Sequence, residues 1–242
     1  MNKVALITGA ATRLGRAMAL HLAAKGYNLC IHCNSSKADA EECQRLAQEQ
    51  GVEAMIIAAN LSQDDEVAKI IPEVNAKLGE ISLLINNASV FHSQKFKDTS
   101  KEQFTTDLAI NLKAPFFLTQ SFAAQATQKF AGEYLIVNIT DSVHNKLSSN
   151  HFLYKISKHA LDHFTMQAAK ELAPQIRVNA IAPGPALPPP GKDTQYFDQI
   201  AKNTPLGIAS PPETLLDGLD YLMQAKSVTG QVLYIGSGMH LT

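Results

Sequence analysis

The chain has 242 residues, 45 % of them apolar, with 21 Lys and Arg against 22 Asp and Glu for a formal net charge of −1. That is enough apolar material for a sizeable core, and a near-neutral chain without basic runs excludes an electrostatic case for nucleic acid or an anionic membrane as partner. No segment approaches the roughly 20 apolar residues of a membrane span, and the first nine residues read as a strand leading into a glycine turn rather than a signal peptide, so the expected location is the cytoplasm.

Strand-like and helix-like segments alternate along the chain. Val4–Thr8 is an apolar β-rich run, Leu14–Lys25 has helical spacing, Asn28–Cys33 is a second strand and Ala38–Gln50 a polar helix. A third strand at Ala54–Ala58, a helix near Asp64–Leu78 and a fourth strand at Ser82–Asn86 follow. Two helices are expected between Lys101 and Phe130, then a strand at Tyr134–Thr140, a helix at Phe152–Leu172 and a strand at Arg177–Ala182. The regularity then fails: most of the eleven prolines fall between Pro183 and Pro212, including Pro188, Pro189 and Pro190. Proline denies the backbone both helix and ladder hydrogen bonds, so this stretch is expected to be a long substrate loop. A helix at Pro212–Gln224 and a strand at Gln231–Ile235 complete the sheet. The pattern predicts one α/β domain over residues 1–242: a doubly wound, mostly parallel Rossmann-type sheet with helices on both faces.

There are three cysteines, Cys30, Cys33 and Cys43. Cys30 and Cys33 form a C-x-x-C, but residues three apart on a strand point to opposite faces, so a redox pair is not expected.

Thr8-Gly-Ala-Ala-Thr-Arg-Leu-Gly15 lies between the first strand and the first helix. Glycines let the backbone approach a pyrophosphate, and the helix N-terminus offers free N–H groups. An NAD enzyme of this type places an acid on the ribose 2′-hydroxyl about 20 residues on. Here there is no acid between Gly26 and Lys37; His32, Asn34, Ser35 and Ser36 occupy the region, with Arg13 and Lys37 nearby. A carboxylate would repel a 2′-phosphate whereas these groups accept one, so NADPH/NADP+ is the expected cofactor. Ser35 and Ser36 can also cap the next helix.

Tyr154 and Lys158 stand at i and i+4 of the helix after the fifth strand, on one face. An ammonium beside a phenol lowers its pKa toward the working range. The preceding strand ends at Asp141.

These pieces, together with Asn86-Asn-Ala-Ser89, Asn111 in Ile110-Asn-Leu-Lys-Ala-Pro-Phe, Arg177-Val-Asn-Ala-Ile-Ala-Pro-Gly184 and Thr229-Gly230, resemble the short-chain dehydrogenase/reductase family over essentially the whole chain. The family usually has Ser where this chain has Asp141; Ser142 would take that place only after a register slip of one residue, which turns the side chain to the other face. Asp here, with Arg13, His32 and Asn87-Ala-Ser-Val-Phe91, is similar to the pteridine reductase and dihydromonapterin reductase branch.

The resemblance implies that Tyr154 donates or accepts the proton, that Lys158 binds the nicotinamide ribose and tunes Tyr154, and that Asn111 supports a proton-relay water, with Asp141 a fourth member of the catalytic group. It places the cofactor against Gly9, Arg13, Leu14, Gly15, His32 and Asn34. Ser35, Asn60, Leu61, Asn87, Ala88 and Ser89 belong to the same site, as do Pro183, Gly184 and the Tyr154–Lys158 pair. Asn60 replaces the usual adenine-contacting acid, and its carbonyl can accept in the same way. The substrate would meet Arg13, Ser89, Phe91, Asp141, Tyr154 and Leu187, with Phe91 stacked on a pterin opposite the nicotinamide. A carboxylate beside Tyr154 opposes Lys158 and keeps the phenol protonated, which suits a reductase.

The resemblance also implies a homotetramer, built on the helices containing Asn111 and Tyr154 and on the C-terminal strand. His159, Asp162 and His163 mimic a metal-binding helix, but zinc needs at least three protein ligands and no metal is expected. The expected function is therefore NADPH-dependent reduction of a pterin ring, with dihydrofolate a further substrate. A carbonyl or enoyl reductase of the same family is the alternative, and a non-catalytic nucleotide sensor the reading from another class. Intact Asn111, Tyr154 and Lys158 argue against that last one.

Overall fold

The computed structural model describes residues 3–127, 129–130, 132–142, 150–188 and 194–242. Seven parallel strands form one sheet in the order β3-β2-β1-β4-β5-β6-β7. They are β1 (Val4–Ile7), β2 (Asn28–Cys33), β3 (Ala54–Ala58), β4 (Ile81–Asn86), β5 (Tyr134–Ile139), β6 (Ile176–Pro183) and β7 (Val232–Ile235). The central strands are buried on both faces, which is why they read as continuous apolar runs rather than alternating ones.

Successive side chains of each strand enter two separate cores. Ala5 and Ile7 pack with α1 (Arg13–Ala24), α2 (Lys37–Gln48) and α8 (Pro212–Gln224) on one face. Val4 and Leu6 pack with α3 (Asp64–Leu78), α5 (Ala114–Gln125) and α6 (Phe152–Leu172) on the other. Cys30 and Cys33 fall in these opposite cores, both buried, and burial pushes both thiols up, so they are packing residues on two sides of a strand.

Two segments differ from the sequence expectation. The stretch expected to be loop from 183 to 212 contains a helix, α7 (Thr194–Lys202). Its prolines flank the helix and none lies within it, and Ala201 on the helix is buried; Pro189 and Pro190 lie outside the described residues. Second, the pair of helices from Lys101 to Gln125 is continuous: α4 (Lys101–Leu108) runs into α5 through a π turn, Ala109–Lys113. Among the described residues no helix is long and apolar enough to cross a membrane.

The strand order reverses between β1 and β4, and in an open parallel sheet the crevice at that point, beyond the carboxyl ends of the strands, is where ligands bind. Gly9, Asn87 and Ala88, which follow β1 and β4, and Asp141, which follows β5, lie at that edge.

Candidate active site

The crevice is shaped first by backbone. Gly9 has a left-handed φ of 65°, and a Cβ on Gly15 would stand 2.1 Å from the Gly9 carbonyl oxygen. The turn therefore closes only with glycine at both places. His32 braces it from the next strand. The Gly9 N–H donates to His32 Nδ1 at 3.0 Å, which fixes the proton on Nε2, and Nε2 then donates to the Ala59 carbonyl at 3.0 Å. Burial lowers the imidazole pKa, so the ring is a neutral strut between three strand ends. Thr8 does the same work on the other side: its hydroxyl oxygen accepts from the backbone N–H groups of Asn87 and Ala88 at 2.9 and 3.0 Å. The Asn87 side chain returns hydrogen bonds to the carbonyls of Thr8 and Gly9.

The resulting cavity, about 360 Å³, is lined by most of the expected cofactor residues: Gly9, Arg13, Leu14, Gly15, His32 and Asn34 at one end, Asn60, Leu61, Asn87, Ala88 and Ser89 along the rest. Ser35 is exposed and, like Pro183 and Gly184, outside that wall. Ser36 occupies the N-cap of α2 without a side-chain capping bond. Asn60 differs from expectation in one respect. Its Oδ1 already accepts from Ser62 N and Ser62 Oγ, at 3.0 and 2.9 Å, so the side chain offers its amide N–H groups rather than a free carbonyl. The Arg13 guanidinium, exposed, donates to the Pro188 carbonyl at 3.1 Å and so spans from the glycine turn to the segment carrying Leu187.

The catalytic candidates converge at the end of β5 and the start of α6. The Tyr154 hydroxyl donates to Asp141 Oδ2 at 2.6 Å. Lys158 is buried, with Nζ 5.6 Å from the Tyr154 ring centre and donating to the Ile139 carbonyl at 2.8 Å. Burial and the adjacent Asp141 carboxylate push the Tyr154 hydroxyl well above its ordinary range. Burial pulls the Lys158 ammonium down to about 8, against the pull of Asp141 and Asp162. Ser142 points elsewhere: its hydroxyl is fully buried, 2.7 Å from where a Cβ on Gly236 would stand. The register thus presents Asp141, not Ser142, to Tyr154.

Asn111 sits in the π turn, where an extra residue per turn re-aims a side chain without breaking the helix. Its Oδ1 accepts from Ser89 Oγ and Val90 N, and its Nδ2 donates to Val90 O and Ser157 Oγ. All four side-chain positions are thereby used within the protein, so a relay water at Asn111 would have to be held by its backbone. The sequence does not reveal the parts played by Ser157 and the Ile139 carbonyl, nor the bracing role of Thr8 within its turn motif; each acts through a contact between segments remote in the chain. The buried pair of Asn86 and Asn138, joined at 2.8 Å across β4 and β5, could have been found as two amides interrupting apolar strands.

The matching model of the short chain dehydrogenase family spans residues 3–195. The chain belongs to that family. Among curated members, the 3-oxoacyl-(acyl-carrier-protein) reductase FabG of Staphylococcus epidermidis is 31 % identical over 246 residues, covering all of both chains. Among solved short-chain dehydrogenase structures, FolM alternative dihydrofolate reductase 1 from Brucella canis, complexed with NADP, superposes with a TM-score of 0.92 at 34 % identity, over 100 % of this chain and 95 % of that one. The FolM of Brucella suis, also with NADP, gives 0.93 at 33 %, over 100 % and 96 %. Among the described residues no group of three or more His, Cys, Asp or Glu could hold a metal, and His159, Asp162 and His163 form no such cluster.

Proposed function

We propose that this short-chain dehydrogenase is an NADPH-dependent reductase of pterin rings, taking a dihydropterin, and dihydrofolate as a relative of it, to the tetrahydro form. The observation that carries this reading is the 2.6 Å bond from Tyr154 to the Asp141 carboxylate. Where the family ordinarily presents a serine hydroxyl, this chain presents an acceptor for the N–H-rich edge of a pterin. The same carboxylate keeps the neighbouring phenol protonated. The full-length likeness to the FolM structures supports the same substrate class.

The residues present fit NADPH: a turn that only glycines can close, a neutral His32 strut, and no acid from Gly26 to Lys37 to repel a 2′-phosphate. When bound, the cofactor supplies the hydride. Lys158 holds the ribose at the nicotinamide end, and Arg13 meets phosphate or pterin after releasing the Pro188 carbonyl. Tyr154 gives its proton to the ring nitrogen beside the carbon that is reduced, while Asp141 anchors the ring. Phe91, Ser89 and Leu187 border the substrate. The chain works as one NADPH-binding domain and as a homotetramer. Exposed Phe104, Phe116 and Phe117 on α4 and α5 support an interface there.

A carbonyl reductase is the second reading, favoured by the FabG relative. A turnover panel with NADPH separates the two: dihydrobiopterin, dihydromonapterin, dihydrofolate, a 3-oxoacyl thioester and a simple ketone. The pterin reading expects dihydropterins to lead the panel, Asp141→Ala to abolish their reduction and Asp141→Ser to shift activity toward carbonyls. Turnover of the thioester alone, unchanged in Asp141→Ala, overturns it.

A further inference from the structure

We propose that His151 is a specificity-determining residue, whose imidazole backs the Phe91 ring and so fixes it as a platform for flat, conjugated substrates beside the Tyr154 hydroxyl. The inference rests on the reading of this cleft as a reductase site and deepens it.

Phe91 is 61 % exposed, an unusual place for a large aromatic ring with no second role. It is nevertheless held. The His151 ring lies face to face with it, centroids 3.9 Å apart and planes within 10°. The Tyr154 ring stands nearly perpendicular to it, centroids 4.6 Å apart and planes at 82°. One face of Phe91 is therefore covered by imidazole, and the ring stands beside that of Tyr154.

The backbone on both sides of Phe91 is pinned as well. Val90 exchanges two hydrogen bonds with the Asn111 side chain. The His92 carbonyl accepts from His151 Nδ1 at 3.0 Å, and His92 Nδ1 pairs at 2.9 Å with Asp107, a buried carboxylate on α4. Because a carbonyl can only accept, His151 carries a proton on Nδ1 in that bond.

His151 itself takes a left-handed conformation, φ 55° and ψ 41°, at the residue preceding α6 and three before Tyr154. Residues with a Cβ adopt that conformation rarely, and such positions gather at functional sites. Here it turns the imidazole back over Phe91. A bare exposed phenylalanine would reorient freely; one stacked and pinned on both flanks presents a fixed plane. A fixed plane favours a planar ring over a flexible aliphatic carbonyl, since stacking is gained without ordering the platform first.

The test compares kcat/KM for dihydrobiopterin, for isatin as a second planar substrate and for an aliphatic ketone in three proteins: wild type, His151→Ala and His151→Phe. An aromatic pair is worth about 3–10-fold. His151→Ala is expected to lose that factor for the planar substrates, through KM, with the aliphatic ketone and NADPH affinity unchanged. His151→Phe, which restores the stack without the hydrogen bond, is expected to recover most of it. Failure of wild type to reduce any dihydropterin would sink the pterin reading alone, because the isatin-to-ketone ratio still decides the role of His151. Equal losses on all substrates, no loss on the planar ones, or tighter planar binding in His151→Ala overturn the inference; the last would mean that the imidazole occupies the substrate's own slot.

Discussion

The two ends of the crevice are built from different material. At the nucleotide end the shape is set by backbone: a glycine turn, the amide groups after β4, and two side chains, Thr8 and His32, whose polar atoms are spent on holding that backbone in place. At the substrate end the walls are side chains that touch one another: Tyr154 on Asp141, Phe91 on His151, Asn111 on Ser89 and Ser157. A backbone site tolerates few changes and serves one ligand class. A side-chain site can be altered residue by residue, and that is where this chain departs from the family's usual pattern, with Asp141.

The largest effect that bears on this contrast is at Tyr154, the proposed proton donor. General acid catalysis contributes about 10²–10⁴-fold. Tyr154→Phe removes only the hydroxyl, so kcat is expected to fall by that order while NADPH binding, measured by fluorescence titration, stays as in wild type. Loss of NADPH binding in this variant would show that the two ends are not separable.

The reverse experiment attacks the backbone end. In Gly15→Ala the new Cβ meets a carbonyl oxygen at 2.1 Å, with no flexible side chain to yield. Overpacking of this kind destabilises by about 1–3 kcal/mol, with loss of NADPH binding expected alongside. Gly26 has a positive φ of 82°, a strain that Gly15 does not carry, but nothing within 4 Å of its Cβ position, so Gly26→Ala is the control for close approach. It is expected to lower stability modestly and leave NADPH affinity intact. Thermal unfolding and titration of both variants check this; equal behaviour would mean that close approach at Gly15 is not what shapes the turn.

The same contrast explains how much could be read in the sequence. Strands buried on both faces announce themselves as apolar runs, and β3, α3, α6 and α8 fall where the spacing puts them. Gly9, Tyr154 and Lys158 were legible because their motifs are local. The strut role of His32 was not, because its partners Gly9 and Ala59 lie 23 and 27 residues away. Nothing in Ala109–Lys113 signals a π turn, and α7 was hidden by the prolines on either side of it. The Phe91–His151 stack joins residues separated by the whole of β5, a pairing that only the assembled sheet creates.

Cofactor choice gives a smaller effect. Arg13→Ala is expected to weaken NADPH about tenfold, the equivalent of about 1.4 kcal/mol, and to leave NADH unchanged. Arg13 is exposed and already engaged with the Pro188 carbonyl, so screening and exchange limit the gain. Equal weakening of both cofactors would place Arg13 on the shared pyrophosphate instead of the 2′-phosphate.

The subtlest test concerns the charge of Asp141. Two groups around it titrate on the alkaline side: Lys158, brought down to about 8 by burial, and Tyr154, held well above its usual value by burial and by the carboxylate. The profile of kcat/KM against pH reports the free enzyme, so its alkaline limb is expected near pH 8, where Lys158 loses its proton while Tyr154 keeps its own. Asp141 raises both values, since a negative charge favours the ammonium and disfavours the phenolate. Asp141→Asn keeps an oxygen that can accept from Tyr154 but removes the charge, so both groups shift down together. The alkaline limb of the residual carbonyl activity should therefore move to lower pH in the variant. A limb that stays in place would mean that Lys158 does not sense the charge of Asp141, whose bond to Tyr154 then serves position alone; a limb that rises would reverse the sign argued for that charge.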